Sequence, residues 1–302
     1  MNNIFKMRLL TFSLIFFLTC VFTSANAQYK KREWHVYGGP SVGAMYYIGE
    51  LSKSSLPSNG YVKPSIGARL SVQYKSVIAF QASYTFGGLA GYDSLVSEAR
   101  AQRGYEFTTQ THDVEMFMKV TLLNHNKKLT RRQKTVFHPK LLLGIGMLNF
   151  APKREYNGQT VDLRTLGTGG QNFGGTYPEP YGNWALGLKI GGEYSFQTGP
   201  RTFIDFYWHY TATRTDYLDD VGGGPHIDVA DLESSGNAEL LSNLAYAEVF
   251  DGDVPSTPGN TRGNPLTNDG YFNFGFAVSY RFTDVARGNR GNSLPFRSRM
   301  RF

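Results

Sequence analysis

The sequence predicts an all-β fold, an eight-stranded antiparallel transmembrane β-barrel with short periplasmic turns and long external loops. Segments of about 10–14 residues alternate apolar with small or polar side chains, which is the period and length of strands that cross an outer membrane at a tilt. The chain is also rich in aromatic residues (15%) and in glycine (34 residues), and only 18% of its residues are charged. Short and long connections alternate along the chain, as they do in membrane barrels.

The N-terminal residues 1–27 have the pattern of a cleaved secretory signal. Lys6 and Arg8 precede a short apolar run over residues 9–22, and Ala25–Ala27 supplies a small-x-small cleavage site. An uncleaved membrane anchor is the alternative, but the run is shorter than the ~20 apolar residues that a spanning helix needs. We therefore expect the chain to be exported and the signal to be removed.

The single cysteine, Cys20, lies inside this signal. A lipoprotein signal would need a small residue directly before the cysteine, where Thr19 stands, so we do not expect lipidation. The processed chain then has no thiol, which excludes disulfide bonds and cysteine metal sites. A net charge of +7 would suit nucleic acid, but an exported chain rarely meets it. The positive charge therefore predicts a peripheral docking surface instead.

Eight segments alternate in this way, and each has one apolar face. In chain order they cover Trp34–Tyr46, Ile66–Tyr74, Ile78–Phe86, Val114–Leu122, Leu141–Met147, Trp184–Tyr194, Ile204–Tyr210 and Phe272–Phe282. In the last segment Phe272, Phe274 and Phe276 share one face, and Arg281 falls on the other. A soluble sandwich would turn the aromatic face inward, whereas a membrane barrel turns it toward lipid and lines the lumen with the polar face. The export signal favours the barrel.

The connections differ in length in a regular way. The predicted short turns lie at Lys75–Ser76, 124–135 and 197–201. The predicted long loops cover residues 47–62, 88–110, 151–183 and 214–270. An even number of strands returns the chain to the periplasm, where the short turns of outer-membrane barrels lie. The sequence leaves open whether the 214–270 loop is a structured cap or mobile.

The polar faces carry charged and titratable residues that we place in the lumen. They are Arg69, Asp113, Glu115, Lys119, Lys140, Lys189, Glu193, Asp205, His209 and Arg281. Because an eight-stranded barrel is narrow, we interpret them as a mutually neutralising network that fills the interior. A proton- or solute-conducting pathway is the alternative interpretation.

A lipid-modifying barrel enzyme is a weaker hypothesis. It would need a hydroxyl nucleophile and a histidine base at one membrane edge, for which His209 with Ser41 or Ser83 are candidates. No nucleophile motif such as G-x-S-x-G supports this chemistry. Isolated histidine and serine residues in a barrel wall more often pack and form hydrogen bonds, so we do not expect an enzyme.

A calcium site is a second weak hypothesis. Asp216, Asp219 and Asp220 form a carboxylate cluster at the start of the longest loop, and carboxylates with loop carbonyls can hold Ca²⁺. The spacing fits no EF-hand, so an Asx-type turn or an ion pair with Arg214 is the favoured interpretation. We expect no metal and no other cofactor.

A basic surface is predicted on the periplasmic side. The second short turn contains Lys127, Lys128, Arg131, Arg132 and Lys134, and the tail over residues 283–302 contains Arg297, Arg299 and Arg301. These charges either maintain the orientation and solubility of the barrel or dock an acidic periplasmic or lipid-anchored partner. The barrel itself is expected to occupy residues 28–282, with the tail emerging on the periplasmic side.

Two loop segments carry a family resemblance. Residues 164–171 (RTLGTGGQ) and 214–221 (RTDYLDDV) resemble the signature segments of a Bacteroidota outer-membrane barrel family typified by PorG of the type IX secretion system. The opening strand from Gly38 through Leu51 and the strand from Pro139 to Gly146 extend the resemblance over the whole barrel. The family positions in the two loops are Arg164, Gly167, Gly170, Gln171, Thr215, Asp216, Tyr217, Leu218, Asp219 and Asp220.

The resemblance implies a non-enzymatic outer-membrane subunit without a cofactor. Such a subunit would anchor the periplasmic ring formed by the lipoprotein PorK and by PorN, and so support export of proteins with C-terminal sorting domains. The competing hypothesis is a stand-alone structural or adhesion barrel that presents its loops outside. A small pore and a lipid-modifying enzyme are further alternatives.

Overall fold

Ten strands and two short helices make up the part of the chain that the computed structural model describes, residues 34–52, 61–75, 77–96, 104–122, 136–237, 240–241, 262–264 and 266–282. The strands are β1 (Trp34–Ile48), β2 (Val62–Tyr74), β3 (Ile78–Tyr92), β4 (Glu106–Thr121), β5 (Val136–Asn149), β6 (Lys153–Tyr156), β7 (Gln159–Asp162), β8 (Trp184–Gln197), β9 (Thr202–Thr213) and β10 (Gly270–Arg281). The helices are α1 (Leu163–Leu166) and α2 (Val229–Ser234), and a single 3-10 turn covers Asp93–Leu95. None of the helices in this part of the chain is long and apolar enough to cross a membrane.

Eight of the strands form a closed antiparallel barrel. The pairing order is β3-β2-β1-β10-β9-β8-β5-β4, and pairing between β3 and β4 closes the sheet. Each of the eight barrel strands overlaps one of the eight segments that the alternating pattern predicts, so the predicted fold class is confirmed. β6 and β7 form a separate hairpin that contacts β4 through the Thr108–Lys153 pair.

The two faces of the barrel strands are oriented as predicted, with the apolar face outward and the polar face toward the lumen. Apolar residues on the outer face are exposed, for example Met116 (62%) and Leu188 (64%). Their charged neighbours Glu115 and Lys189 are 2% and 3% exposed. This inverts the arrangement of a soluble domain, whose exposed face would be the polar one.

Two predicted loops contain more strand than the sequence indicates. β3 continues to Tyr92 and β4 begins at Glu106, and these two residues pair. The predicted bounds of the 88–110 loop are therefore wrong at both ends. The β3–β4 ladder continues through this glycine-rich stretch, because pairing satisfies its backbone N–H and C=O groups. The 151–183 loop contains the β6–β7 hairpin, whose turn residues Asn157 and Gly158 both have positive φ.

An apolar core lies at the long-loop end of the barrel. Inward-facing strand residues contribute Tyr47, Leu89, Phe107, Leu148 and Tyr271, and the loops contribute Leu163, Leu166, Leu218, Val221, Ile227 and Leu232. We call loop residues 150–183, 214–237 and 262–264 the cap. The described part of the 214–270 loop is therefore folded and packed against the strands. The signal, the tail and residues 123–135 lie outside the described residues.

Candidate functional site

A buried carboxylate with three cations lies in the half of the lumen near the short turns. Glu193 on β8 accepts hydrogen bonds from Arg69 Nη2 (2.9 Å), Lys119 Nζ (2.5 Å) and Lys140 Nζ (2.8 Å). The four residues come from four different strands, so the cluster joins opposite walls of the barrel. Three cations therefore face one carboxylate in this cluster.

A second carboxylate, Asp205 on β9, continues this network toward the short turns. Lys140 donates to Ser195 Oγ (2.7 Å), and the hydroxyls of Ser195 and Ser279 donate to Asp205. Arg281 is predicted as a member of the same network, but it donates to the carbonyl oxygen of Pro200. Because Arg281 is the last residue of β10, it reaches the β8–β9 turn and not a lumen carboxylate.

In the other half of the lumen, one lysine forms ion pairs with two carboxylates. Lys189 Nζ lies 2.7 Å from Asp113 Oδ2 and 3.1 Å from Glu115 Oε1. The hydroxyl of Tyr271 is 2.8 Å from the same Nζ and donates to Asp113 Oδ2 (2.5 Å). Asp113 and Glu115 are two residues apart on β4, so the strand period directs both carboxylates inward, where Lys189 compensates their charge.

The residues considered for lipid chemistry lie inside the barrel. His209 is 2% exposed, and its Nε2 lies 3.0 Å from Glu115 Oε1. Ser83 donates its hydroxyl hydrogen to the other oxygen of Glu115 (2.9 Å), and Ser41 is buried as well. Glu115 thus lies between the serine and the histidine. A lipid at the membrane edge would not reach either group, so the geometry does not favour acyl chemistry at these residues.

The two segments that carry the family resemblance meet in the cap. The hydroxyl of Thr168 from the first segment donates to Asp220 Oδ2 from the second. Arg262 Nη1 donates both to Thr168 Oγ1 (3.1 Å) and to the carbonyl oxygen of Asp220 (3.0 Å). Tyr181 donates to the remaining carboxylate oxygen of Asp220 (2.6 Å). Burial raises the pKa of Asp220, and the nearby Arg262 guanidinium opposes that rise.

The other positions of the first segment shape this contact. Gly167 ends α1 with a positive φ of 74°, and Gly170 has a φ of 84°, conformations that favour glycine. A Cβ at Gly170 would overlap the ring of Tyr177. Gln171 is buried and accepts a hydrogen bond from the backbone N–H of Gly169 (2.9 Å). Arg164 is half-buried on α1.

The other positions of the second segment hold the cap on the strands. Tyr217 stacks on Tyr181 with ring centroids 4.6 Å apart, and Leu218 is fully buried. The carbonyl oxygen of Thr215 accepts a hydrogen bond from the backbone N–H of Asp269 (3.0 Å), directly before β10. The contacts of both segments are therefore internal to the protein, and they make the segments a structural element of the cap.

The three aspartates considered for calcium point to different partners. Asp219 Oδ1 accepts from the backbone N–H of Val221 (2.9 Å), which is an Asx-type turn, and Asp220 contacts Thr168 and Tyr181. Among the described residues no group of three histidine, cysteine, aspartate or glutamate side chains is arranged to hold a metal ion. The cation beside Asp220 is Arg262, whereas Arg214 is exposed.

The contacts of Arg262 and Tyr47 at the long-loop end of the barrel have no local signal in the sequence. Arg262 is 42 positions from Asp220 and 94 from Thr168, and Tyr47 is 222 positions from its partner Asp269. Contacts at such separations follow only from the closed barrel, which brings the end of β1 beside the start of β10. The candidate partner contacts at Lys127, Lys128, Arg131, Arg132, Lys134, Arg297, Arg299 and Arg301 lie outside the described residues.

No protein-family model matches the chain, and no curated protein matches it. Solved structures with a similar barrel include Neisserial surface protein A, with 9% sequence identity over 82% of this chain and 97% of that chain and a TM-score of 0.38. Ail of Yersinia pestis has 8% identity over 83% and 99% of the two chains and a TM-score of 0.35. The N-terminal β-barrel domain of Pseudomonas aeruginosa OprF has 7% identity over 82% and 97%, with a TM-score of 0.30. Values this low support no inference about the function of this chain.

Proposed function

We propose that the chain is a non-enzymatic outer-membrane barrel that anchors a PorK/PorN-like periplasmic ring of the type IX secretion system. The membrane location is supported mainly by one observation: an exposed apolar face surrounds a lumen that is filled with charged side chains. Outward residues such as Ile66 (61%) and Met116 (62%) would cost free energy in water but not in lipid. An export signal and the alternation of short turns with long loops support an outer-membrane location.

The anchoring role rests on the family resemblance and on the position of positive charge. The short turns would face the periplasm, and the sequence predicts the basic 124–135 turn and the basic tail on that side. Such a surface suits an acidic periplasmic partner, because complementary charge speeds encounter and selects the partner.

Photo-crosslinking in native cells tests the anchoring role. A photoreactive residue at Leu129, in the basic turn, is expected to capture a periplasmic ring lipoprotein. The same residue at Thr165, exposed on α1 at the other end of the barrel, is the matched control and is expected not to capture it. Equal capture from both positions, or none from Leu129, would contradict the proposal.

Charge reversal and gene deletion add two functional measurements. Lys127→Glu with Arg132→Glu should reduce recovery of the partner in co-purification, whereas Lys153→Glu with Arg154→Glu at the long-loop end should not. Deletion of the gene should leave proteins with C-terminal sorting domains in the periplasm. Normal secretion after deletion would instead favour the second candidate, a stand-alone structural or adhesion barrel, for which the folded external cap is the supporting observation.

A further inference from the structure

Two buried carboxylates share one tyrosine where the cap meets the barrel rim. The hydroxyl of Tyr47, at the end of β1, lies 2.6 Å from Asp219 Oδ2 and 2.5 Å from Asp269 Oδ1. Tyr47 is 0% exposed, and the two aspartates are 1% and 2% exposed. We call these three residues the rim triad. Asp219 belongs to the cap, whereas Asp269 directly precedes β10.

Two short contacts join three oxygen atoms of the rim triad, and each contact needs one hydrogen. A tyrosine hydroxyl has one hydrogen to donate, and ionised carboxylates have none. One of the two aspartates must therefore carry a proton, which it donates to the Tyr47 oxygen, while Tyr47 donates to the other carboxylate. Two ionised carboxylates facing one hydroxyl would leave a buried acceptor without a partner and place two negative charges together.

Among the described residues, the charges that act most strongly on the rim triad are those of other carboxylates, although Arg154 and Arg262 line the same small cavity as Asp219. The titratable groups whose charge acts on the pair within the described residues include Glu50 from the β1–β2 loop and Asp216 from the cap. The Tyr210 hydroxyl of β9 also lies in the field of Asp269. Burial raises the pKa of Asp269 to about 8, and burial together with the charge of Asp269 raises the pKa of Asp219 well above its usual range.

The same aspartates also hold the backbone of the cap. Asp269 Oδ2 accepts from the N–H of Leu218 (2.9 Å), and Asp219 Oδ1 accepts from the N–H of Val221 (2.9 Å). Gly49 packs directly on the triad, since a Cβ there would overlap the Tyr47 hydroxyl and the Asp269 carboxylate. A change in the protonation of the triad therefore acts on the cap backbone at Leu218 and Val221.

We propose that one shared proton in the rim triad holds residues 214–221 of the cap on the barrel, and that loss of this proton as the pH rises from about 5 to about 8 releases them. The sign follows from linkage. An acid whose pKa is higher in the closed state than in the open state stabilises the closed state fully at low pH and loses that contribution as the pH rises through the closed-state pKa. Release of one proton then shifts the closed-to-open ratio about tenfold per pH unit.

Hydrogen–deuterium exchange on the full chain in lipid nanodiscs tests the proposal. After correction for intrinsic exchange rates, protection of the amides in residues 214–221 should fall about tenfold per pH unit from about pH 5 to about pH 8, where the closed state holds a proton that the open state has lost, and should level off above about pH 8. Asp269→Asn keeps a donor and an acceptor but cannot ionise, so protection should persist to pH 10. Tyr47→Phe removes the bridging hydroxyl and should lose protection already at pH 5.

Glu233→Gln removes an exposed carboxylate from α2 and should behave like the unmodified chain. If Asp269→Asn does not give a folded barrel, Asp219→Asn tests the same proton, with heat-modifiable migration in gels as the measure of folding. Protection of the unmodified chain that stays constant to pH 10 would overturn the proposal. An Asp269→Asn curve that follows the unmodified chain would overturn it as well. Neither outcome depends on a periplasmic partner, so this test is independent of the proposed anchoring role.

Discussion

Lys189 on β8 forms a fully buried ion pair with Asp113 on β4, with Nζ 2.7 Å from Oδ2 and both side chains 0% exposed. β5 lies between these strands in the sheet, so the pair reaches across the inside of the barrel and not along one ladder. An ion pair in this position replaces the apolar core of a soluble domain. Its cost of desolvation is offset only while both charges and the Tyr271 hydroxyl remain in place.

Removal of the lysine should therefore be severe. Lys189→Met leaves Asp113 and Glu115 buried without their cation, and we expect a loss of about 3–5 kcal/mol in the free energy of unfolding. Arg154→Met is the control, because its pair with Glu106 is partly exposed and should contribute less than ~1 kcal/mol. Urea unfolding in detergent micelles measures both. Equal effects of the two substitutions would contradict a compensating role for Lys189.

The filled lumen predicts that the purified barrel forms no stable large openings in a planar bilayer. Replacing Arg69, Lys119 and Glu193 together by alanine removes most of the buried cluster and leaves Lys140 linked to Asp205 through the Ser195 hydroxyl, and should allow measurable single-channel conductance. The corresponding exposed control is Lys153→Ala with Glu155→Ala on the outer hairpin. Stable large openings in the unmodified protein would instead support the conducting pathway.

The pairing between the first and last strands should be sensitive to substitution of one glycine. Pairing between β1 and β10 is interrupted at Gly39 and Pro40, and a Cβ at Gly39 would overlap the carbonyl oxygen of Val278. Because that atom is backbone, Gly39→Ala should cost about 1–3 kcal/mol and lower the temperature at which the folded gel band disappears. Gly182→Ala, where no heavy atom lies within 4 Å of the added carbon, should leave that temperature unchanged.

The stability of the cap should fall as the pH rises through neutrality. Burial, with a further contribution from Glu50, raises the pKa of Asp216 to about 7. This contribution to stability is present below about pH 4 and is lost as the pH rises through 7. Asp216→Asn should therefore stabilise the cap at pH 8, on the order of 1 kcal/mol after allowance for solvent screening, and should have no effect at pH 4. Thermal unfolding at the two pH values measures the difference, and a gain of similar size at pH 4 would contradict the assignment.

The sequence predicts the barrel well because a strand has only two faces. Once residues such as Met116 and Leu188 alternate with Glu115 and Lys189, a shift of one residue would move every charge into lipid. The pattern therefore determines both the strands and the side on which the charges lie. Asn157–Gly158 between alternating residues is also a hairpin signal in the sequence, and the β6–β7 hairpin could have been predicted from it.

The cap could not be predicted in the same way. Its contacts join Thr168 to Asp220, Arg262 to both, and Tyr47 to Asp219, and no local period relates these residues. The nearest basic residue along the chain, Arg214, is the natural candidate partner for the aspartates, but it is exposed and Arg262 takes that place. Closure of the barrel brings distant segments together at one rim, and this closure is a property of the whole chain.

Site-directed spin labelling along β10 tests the central claim that the apolar face meets lipid. Single cysteines at each residue from 274 to 280, introduced into the processed chain in lipid vesicles, report accessibility to oxygen and to a water-soluble relaxing agent. We expect oxygen accessibility with a period of two, high at Phe276 and Val278, which are 56% and 50% exposed, and low at Ala277, which is 2% exposed. Even-numbered positions protected from both agents would mean that the aromatic face is the core of a soluble protein, and would contradict the account.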